Sequence, residues 1–315
     1  MRALRYDGDL RLEHEVTQPV PDADEALLKI RLAGICNTDL ELIDGMYDFS
    51  GILGHEFVAD VAEGPAHLVG KRVVGEINVG CKVCDFCRQG IVSQCRNRAA
   101  IGIHGHAGAF ADFLTLDVAN LHVVPSGIDD DVAVFTEPLA AVLQIPEAVW
   151  IAPRHRVLVV GVGKLGMLAA QVLKLTGADV AGVVRHQKQA DLLDRWHIPA
   201  YSIDELAAEQ ADIVVDCTGQ ASGFADALRL VRSRGTIVLK STYRGTPQAD
   251  LTQVAVREIR VVGSRCGPFD AALRLFDKQL VDVRSMIEAR YPLERAQDAV
   301  AHARQHGVLK VLLEI

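Results

Sequence analysis

A glycine-rich turn between an apolar run and a helical pattern limits this chain to few architectures. Gly161-Val162-Gly163-Lys164-Leu165-Gly166 follows the apolar run 156–160 and opens the helical stretch 165–176. The spacing suits a strand–turn–helix that cradles a pyrophosphate. The first glycine permits the tight turn, the second lets the backbone approach the phosphates, and the third lets helix and strand pack closely. The helix N-terminus then offers free N–H groups and the positive end of its dipole. The rival reading is a tight turn that holds no ligand. The alternation continues with strands at 179–184, 213–216, 236–239 and 259–262 and a helix at 221–231. Strands alternating with helices predict a doubly wound parallel sheet.

When the ribose 2′-hydroxyl is held by a carboxylate, the second strand ends in an acid about 20 residues on. Here it ends Val183-Val184-Arg185-His186. Arg185 can pair with a 2′-phosphate, with His186 or Lys188 assisting, so NADP(H) is expected in preference to NAD(H). Arg185 stacking on adenine is the alternative.

At 315 residues the chain is long enough for two domains of roughly 100–200 residues each. Up to about residue 125 the pattern is short strands, at 26–32, 57–62, 71–74 and 113–116, broken by Gly, Pro and Asp. That half reads as β-rich. Helical periodicity starts at 132–143. The tail from 269 carries two helical stretches and a last strand at 310–313, and is expected to return to the first domain. The division is therefore 1–128 with 265–315, and 129–264.

Four of the seven cysteines, Cys81, Cys84, Cys87 and Cys95, fall within fifteen residues. Four thiolates in one loop enclose a tetrahedral zinc with no open position, which is a structural site. An iron–sulfur run of the bacterial type has three residues before its last cysteine and proline after it. Here there are seven, and Arg96 follows. Such clustering in a reducing compartment favours metal over disulfides.

A second metal reading comes from Gly34-Ile35-Cys36-Asn37-Thr38-Asp39 and Gly54-His55-Glu56. A thiolate, an imidazole and a carboxylate from Glu56 or the later Glu137 make three ligands and leave one position open, the catalytic-zinc arrangement. Singly, each has a bland reading: a buried cysteine, a hydrogen-bonded histidine, a helix start at Glu137-Pro138. Met46, Tyr47 and Phe49 in the segment 45–50 line a pocket or simply pack. His104 and His106 sit in the glycine-rich stretch 101–108, read as a loop, with a third metal role as the alternative.

Taken together, these residues resemble the zinc-dependent alcohol dehydrogenase branch of the medium-chain dehydrogenase/reductase superfamily. The carriers are 34–39, Gly54-His55-Glu56, the lobe 81–95, Glu137-Pro138-Leu139-Ala140 and 161–166, in the family order. The Glu-Pro-Leu-Ala stretch is similar to the polyol and threonine dehydrogenase relatives. The resemblance implies an α/β protein with a GroES-like β-rich catalytic domain wrapped by both termini around a Rossmann domain. It implies two zinc ions per chain, one catalytic on Cys36, His55 and Glu56 or Glu137, one structural on the four-cysteine lobe. Thr38 would contact the substrate oxygen and pass its proton on, and Asp39 would orient His55. Where many relatives carry a histidine to finish the proton relay, this chain has Glu41. Gly161, Gly163, Lys164, Leu165, Gly166, Arg185, His186 and the strand end with Cys217 and Thr218 would meet the coenzyme.

The implied activity is hydride transfer between an alcohol or polyol, or the matching carbonyl compound, and NAD(P). The rivals are a zinc-independent enone or quinone reductase of the same superfamily and a non-catalytic NADPH-binding protein. A net charge of −8 with no Lys/Arg block gives no support for nucleic-acid or anionic-membrane partners. No apolar run reaches the ~20 residues of a membrane span, and the opening residues lack a signal-peptide core. A cytoplasmic homodimer or homotetramer acting on a small molecule is expected.

Overall fold

The structure is a computed structural model and describes every residue except Met46, Arg244, Gly245 and Pro247. Met46, one of the expected pocket residues, therefore lies outside the described residues. The chain separates into two compact units, 1–137 with 269–315, and 138–268.

The second unit is a six-stranded parallel sheet in the order Ala200–Tyr201, Asp179–Val183, Arg156–Val160, Ala211–Asp216, Val231–Leu239, Arg260–Gly263. Counted along this unit the order is 3-2-1-4-5-6, the doubly wound arrangement in which a dinucleotide lies where the strand order reverses. The central strands are near-continuous apolar runs because parallel strands are covered on both faces. Leu158, Val160, Ala181, Val183, Val214 and Ile237 pack with Phe224 and Leu228 of the helix Gly223–Leu230. The helix Lys164–Lys174 buries Gly166 through Leu173, and its charged residues sit only at its two ends.

In the first unit, the strand Glu25–Gly34 is the hub of a mainly antiparallel sheet. It pairs with Glu56–Glu63, Phe113–Asp117 and the last strand Lys310–Glu314. Burial alternates along its middle, with Lys29 and Arg31 facing solvent between Leu28, Ile30 and Leu32. That is the period of a strand with one face on a core. Residue 56 is the register partner of Gly34, and Leu312 pairs with the same glycine. Three strands distant in sequence thus deliver their ends to one place.

Two expectations about elements change. The helical stretch expected at 132–143 is two helices, Asp130–Ala133 and Thr136–Ala148. The Asp129 carboxylate caps the first by accepting from Val132 N–H at 3.2 Å. The Thr136 hydroxyl donates to the Ala133 carbonyl at 2.7 Å and so closes the junction. The tail, read as two helices and a strand, carries a further strand, Ile287–Pro292, parallel to Lys310–Glu314.

Candidate metal and coenzyme sites

Cys36 follows the hub strand and is the N-cap of the short helix Asn37–Ile43. The Asp39 carboxylate reaches back to the Cys36 N–H at 2.8 Å, which fixes the cysteine at the strand–helix corner. The other Asp39 oxygen lies 3.3 Å from His55 Nδ1, an ion-pair distance without the alignment of a hydrogen bond. Both side chains are essentially buried, so Asp39 orients the ring and turns Nε2 the other way. His55 follows Gly54, whose φ of +96° suits glycine, and a Cβ there would overlap the Phe110 ring.

The ligand atoms of Cys36, His55 and Glu56 all lie within 4.8 Å of one another. Glu137 is not in that group. It sits in the first turn of Thr136–Ala148 and is half-buried. Glu56 is 1% exposed and ion-paired through Oε2 with Lys310, which is 2% exposed. The Lys310 ammonium also lies 5.3 Å from the Phe135 ring centroid. A Cβ on Gly34 would overlap Glu56 Oε2 where it now lies and touch the Lys310 stem, so the glycine leaves that carboxylate its present place. Burial opposes a charge on Lys310, but Glu56 and then Cys36 outweigh it and hold the ammonium above its ordinary value. Burial opposes a charge on His55 as well. Asp39 and Cys36 outweigh it there, and the ring is held well above its usual value. A pocket that draws positive charge onto a buried imidazole favours a cation.

The fit to a metal rests on the donor set. Glu56 Oε1 is buried and has no hydrogen-bond partner among the described residues. An unpaired buried carboxylate oxygen is costly unless a cation meets it. Thiolate, imidazole and carboxylate are zinc donors, and three of them leave a fourth position open. Thr38 Oγ1 is 3.8 Å from Cys36 Sγ. Glu41 lies one turn further along the same helix.

The lobe places the sulfurs of Cys81, Cys84, Cys87 and Cys95 within 4.8 Å of one another, and all seven cysteines are unbridged. Cys84 Sγ and Cys95 Sγ are 3.8 Å apart. A tetrahedron with Zn–S of about 2.3 Å requires an S···S edge of about 3.8 Å, so the cage has the right size. Backbone N–H groups prepare the thiolates. Cys81 N–H points at Cys95 Sγ (3.2 Å) and Cys87 N–H at Cys84 Sγ (3.5 Å). Hydrogen bonding from the Arg96 and Cys87 backbone lowers the Cys84 thiol to about 6, whereas desolvation first, then its neighbouring thiols, pushes Cys87 up to about 12. Lys82 ties the lobe to the sheet through Asp24 (3.1 Å) and Asp117 (2.5 Å).

In the second unit Gly161 has φ +83°, and its missing Cβ lets the Thr218 backbone approach. A Cβ on Gly163 would meet nothing within 4 Å, so the turn has open space beside that residue. A Cβ on Gly166 would overlap the Gly161 carbonyl. Gly161 and Gly166 are thus required by close backbone contacts within the turn, and Gly163 is not. Gly163 is the N-cap, and Lys164 and Leu165 form the first turn of the helix. The Asp216 carboxylate accepts from Thr218 N–H (2.9 Å) and Oγ1 (2.8 Å), fixing the neighbouring strand end against Gly161. Burial pushes the Cys217 thiol up to about 12, so it stays protonated. Arg185 and His186 are exposed after the second strand, with Arg185 Nη1 3.4 Å from Gln220 Oε1. Tyr47 is exposed and Phe49 half-buried, and the main chain at His104 is tied to Ala100. Lys310 was not foreseen. The signal was there, a lone charge inside the apolar run Val308-Leu309-Lys310-Val311-Leu312-Leu313.

Two family descriptions match the chain: alcohol dehydrogenase GroES-like domain over residues 22–126 and zinc-binding dehydrogenase over residues 165–278. Glucose 1-dehydrogenase from Thermoproteus tenax is 30% identical, covering 97% of this chain and 96% of that one. Sorbitol dehydrogenase from Halalkalibacterium halodurans is 29% identical, covering 95% and 94%. A crystal structure from Sinorhizobium meliloti 1021, described as a zinc-binding dehydrogenase bound to NADP, superposes with a TM-score of 0.91 at 28% identity, covering 100% and 99%. The chain belongs to the zinc-dependent alcohol dehydrogenase branch of the medium-chain dehydrogenase/reductase superfamily. It is a zinc-dependent oxidoreductase that exchanges hydride between an alcohol or polyol and a nicotinamide coenzyme. No helix among the described residues is long and apolar enough to cross a membrane.

Proposed function

We propose that this chain oxidises a small polyol, or reduces the matching ketose or aldehyde, at a zinc held by Cys36, His55 and Glu56, with NADP(H) as coenzyme. The observation that carries the reading is the convergence of those three side chains within 4.8 Å, with Glu56 Oε1 left without a partner. When bound, zinc supplies Lewis-acid polarisation of the substrate oxygen and nicotinamide accepts or returns the hydride. The chain does the rest. Cys36 and His55 are held by Asp39, which keeps the ring in one orientation. Thr38 receives the proton of the substrate hydroxyl through Oγ1 and hands it toward Glu41, which stands where relatives carry a histidine. Glu137 borders the site without being a ligand. Gly161, Gly163 and Gly166 seat the pyrophosphate. Arg185 and His186 meet a 2′-phosphate, because the second strand ends without an acid. Cys81, Cys84, Cys87 and Cys95 would hold a second zinc in a structural role. The polyol class is supported by the likeness to a sorbitol dehydrogenase. The family resemblance supports a homodimer or homotetramer, and the four-cysteine clustering supports a reducing, cytoplasmic compartment.

The test is zinc content by elemental analysis on protein prepared without added metal or chelator, for the wild type and Cys36→Ser. Two zinc ions falling to one, with turnover of polyols and NADP lowered about a thousandfold, is expected, since Lewis-acid assistance is worth several kcal/mol and each 1.36 kcal/mol is tenfold. One zinc in both proteins would remove Cys36 from the ligand set and overturn the proposal.

A further inference from the structure

Lys240 follows the strand Val231–Leu239 and is only 8% exposed. Its ammonium donates to the Ser264 carbonyl at 3.2 Å, contacts Ser264 Oγ at 3.5 Å, and donates to the Arg265 carbonyl. Its own N–H donates to the Asp216 carbonyl, and Ser264 N–H donates to the Leu239 carbonyl, both at 3.0 Å. Ser241 completes the seam. Its Oγ accepts from Gly219 N–H at 2.9 Å and lies 3.4 Å from the Asp216 carbonyl oxygen. The carboxyl ends of Ala211–Asp216, Val231–Leu239 and Arg260–Gly263 are thereby stitched together by one buried cation and one hydroxyl.

Packing alone does not call for a cation at this position. Before it, Ile237 and Val238 are fully buried and Leu239 is half-buried, and an apolar side chain of similar length would fill the space without the cost of desolvating an ammonium. What the ammonium adds is a fixed course for residues 264–265 beyond the last strand. In a doubly wound sheet the ligand lies outside these carboxyl ends, and the two halves of a dinucleotide divide between the two halves of the sheet. The glycine turn and Arg185 belong to the half that takes the phosphorylated adenosine. The seam at Lys240 belongs to the other half. Resting on the coenzyme reading above, we infer that Lys240 is a positioning residue for the nicotinamide end of the coenzyme, holding the Ser264–Arg265 backbone that borders it.

The experiment compares two classes of ligand on the full chain. NADPH and NADH affinities are measured by fluorescence titration, and those of ADP-ribose and its 2′-phosphate, which lack nicotinamide, by calorimetry. Lys240→Met leaves two carbonyls without their charged donor and is expected to weaken the whole coenzymes about tenfold while the fragments stay within about twofold. Lys240→Arg, which keeps a buried donor, is expected to recover most of the loss. Should Lys240→Met fail to fold by circular dichroism, Lys240→Gln takes its place. Equal weakening of coenzymes and fragments would make Lys240 a general support of the sheet and overturn the inference. Unchanged coenzyme binding would overturn it too. If the wild type binds fragments and coenzymes equally poorly, the coenzyme reading fails, and the inference with it.

Discussion

The two candidate metal sites are built in opposite ways. The lobe takes all four sulfurs from fifteen consecutive residues, uses backbone N–H groups to prepare them, and closes the sphere. The other site takes Cys36 from the end of one strand, His55 and Glu56 from the start of another, and a supporting Lys310 from the last strand, 254 residues from its partner. On the proposed reading, the first needs the metal to hold the loop, and the second needs the fold to hold the ligands. A loop without a core of its own gains its stability from the ion. A site carried on sheet ends keeps its geometry whether the ion is present or not, and that geometry can be left incomplete so that substrate has a place to bind.

The sharpest way to break this contrast is to remove one ligand of the lobe. Cys84→Ser is expected to lose one zinc and the order of residues 81–95, at a local cost of about 5 kcal/mol or more given the affinity of all-cysteine sites. The measurement is amide hydrogen exchange followed by mass spectrometry. Peptides from the lobe should lose protection, while those spanning Cys36–Ile43 and Glu56–Glu63 keep theirs. Loss of protection at both sites would mean that the lobe supports the other site and that the two are not independent.

Lys310 offers the converse perturbation. Lys310→Met leaves the Glu56 carboxylate buried with its cation removed, which costs about 3–5 kcal/mol in comparable buried pairs. Adding Glu56→Gln should restore most of that stability, and a double-mutant cycle by urea unfolding in the presence of chelator reads the coupling directly. Amide-exchange protection of the lobe peptides, measured on the same variants without chelator, should not change. A loss no larger than that of an exposed ion pair would place the strength of this site in the sulfur and imidazole ligands instead.

How much of each site was legible follows from the same contrast. The lobe could be read because its ligands are neighbours along the chain, and spacing within a loop is spacing in space. The glycine turn was legible for the same reason, since strand, turn and helix are contiguous at 156–174. Cys36 and His55 stood out as types, but the choice between Glu56 and Glu137 stayed open. Nothing in the order of residues says which carboxylate a sheet register brings to Gly34. The register does, by pairing residue 56 with that glycine. Lys310 was missed because its meaning lies in a partner at the other end of the chain. The break between Asp130–Ala133 and Thr136–Ala148 was missed because periodicity runs through it, and only the Thr136 hydroxyl on the Ala133 carbonyl reveals the corner. The strand Ile287–Pro292 has no alternation to betray it, since its burial depends on the parallel neighbour it finds.

A third long-range cluster tests whether fold-held charges behave alike without any metal nearby. His122 lies between two carboxylates, with Nε2 2.9 Å from Glu76 and Nδ1 2.7 Å from Asp270, and its ring stacks on Phe269 at 5.2 Å. Both nitrogens can serve carboxylates only when both carry protons. Burial opposes that charge, but the hydrogen bonds to Glu76 and Asp270 outweigh it and hold the ring above its ordinary value. A pKa raised by folding stabilises the protein fully below the unfolded value of about 6.5, and that contribution is lost as pH rises through the folded value. His122→Asn should therefore be less stable than the wild type at pH 5.5, by about 1 kcal/mol because solvent screens the two carboxylates. The gap should close toward pH 9. Thermal unfolding of both proteins across that range checks the sign. A gap that stays constant would mean a neutral ring held by stacking on Phe269, and charge would then matter only where, as at Glu56 and Lys310, both partners are buried.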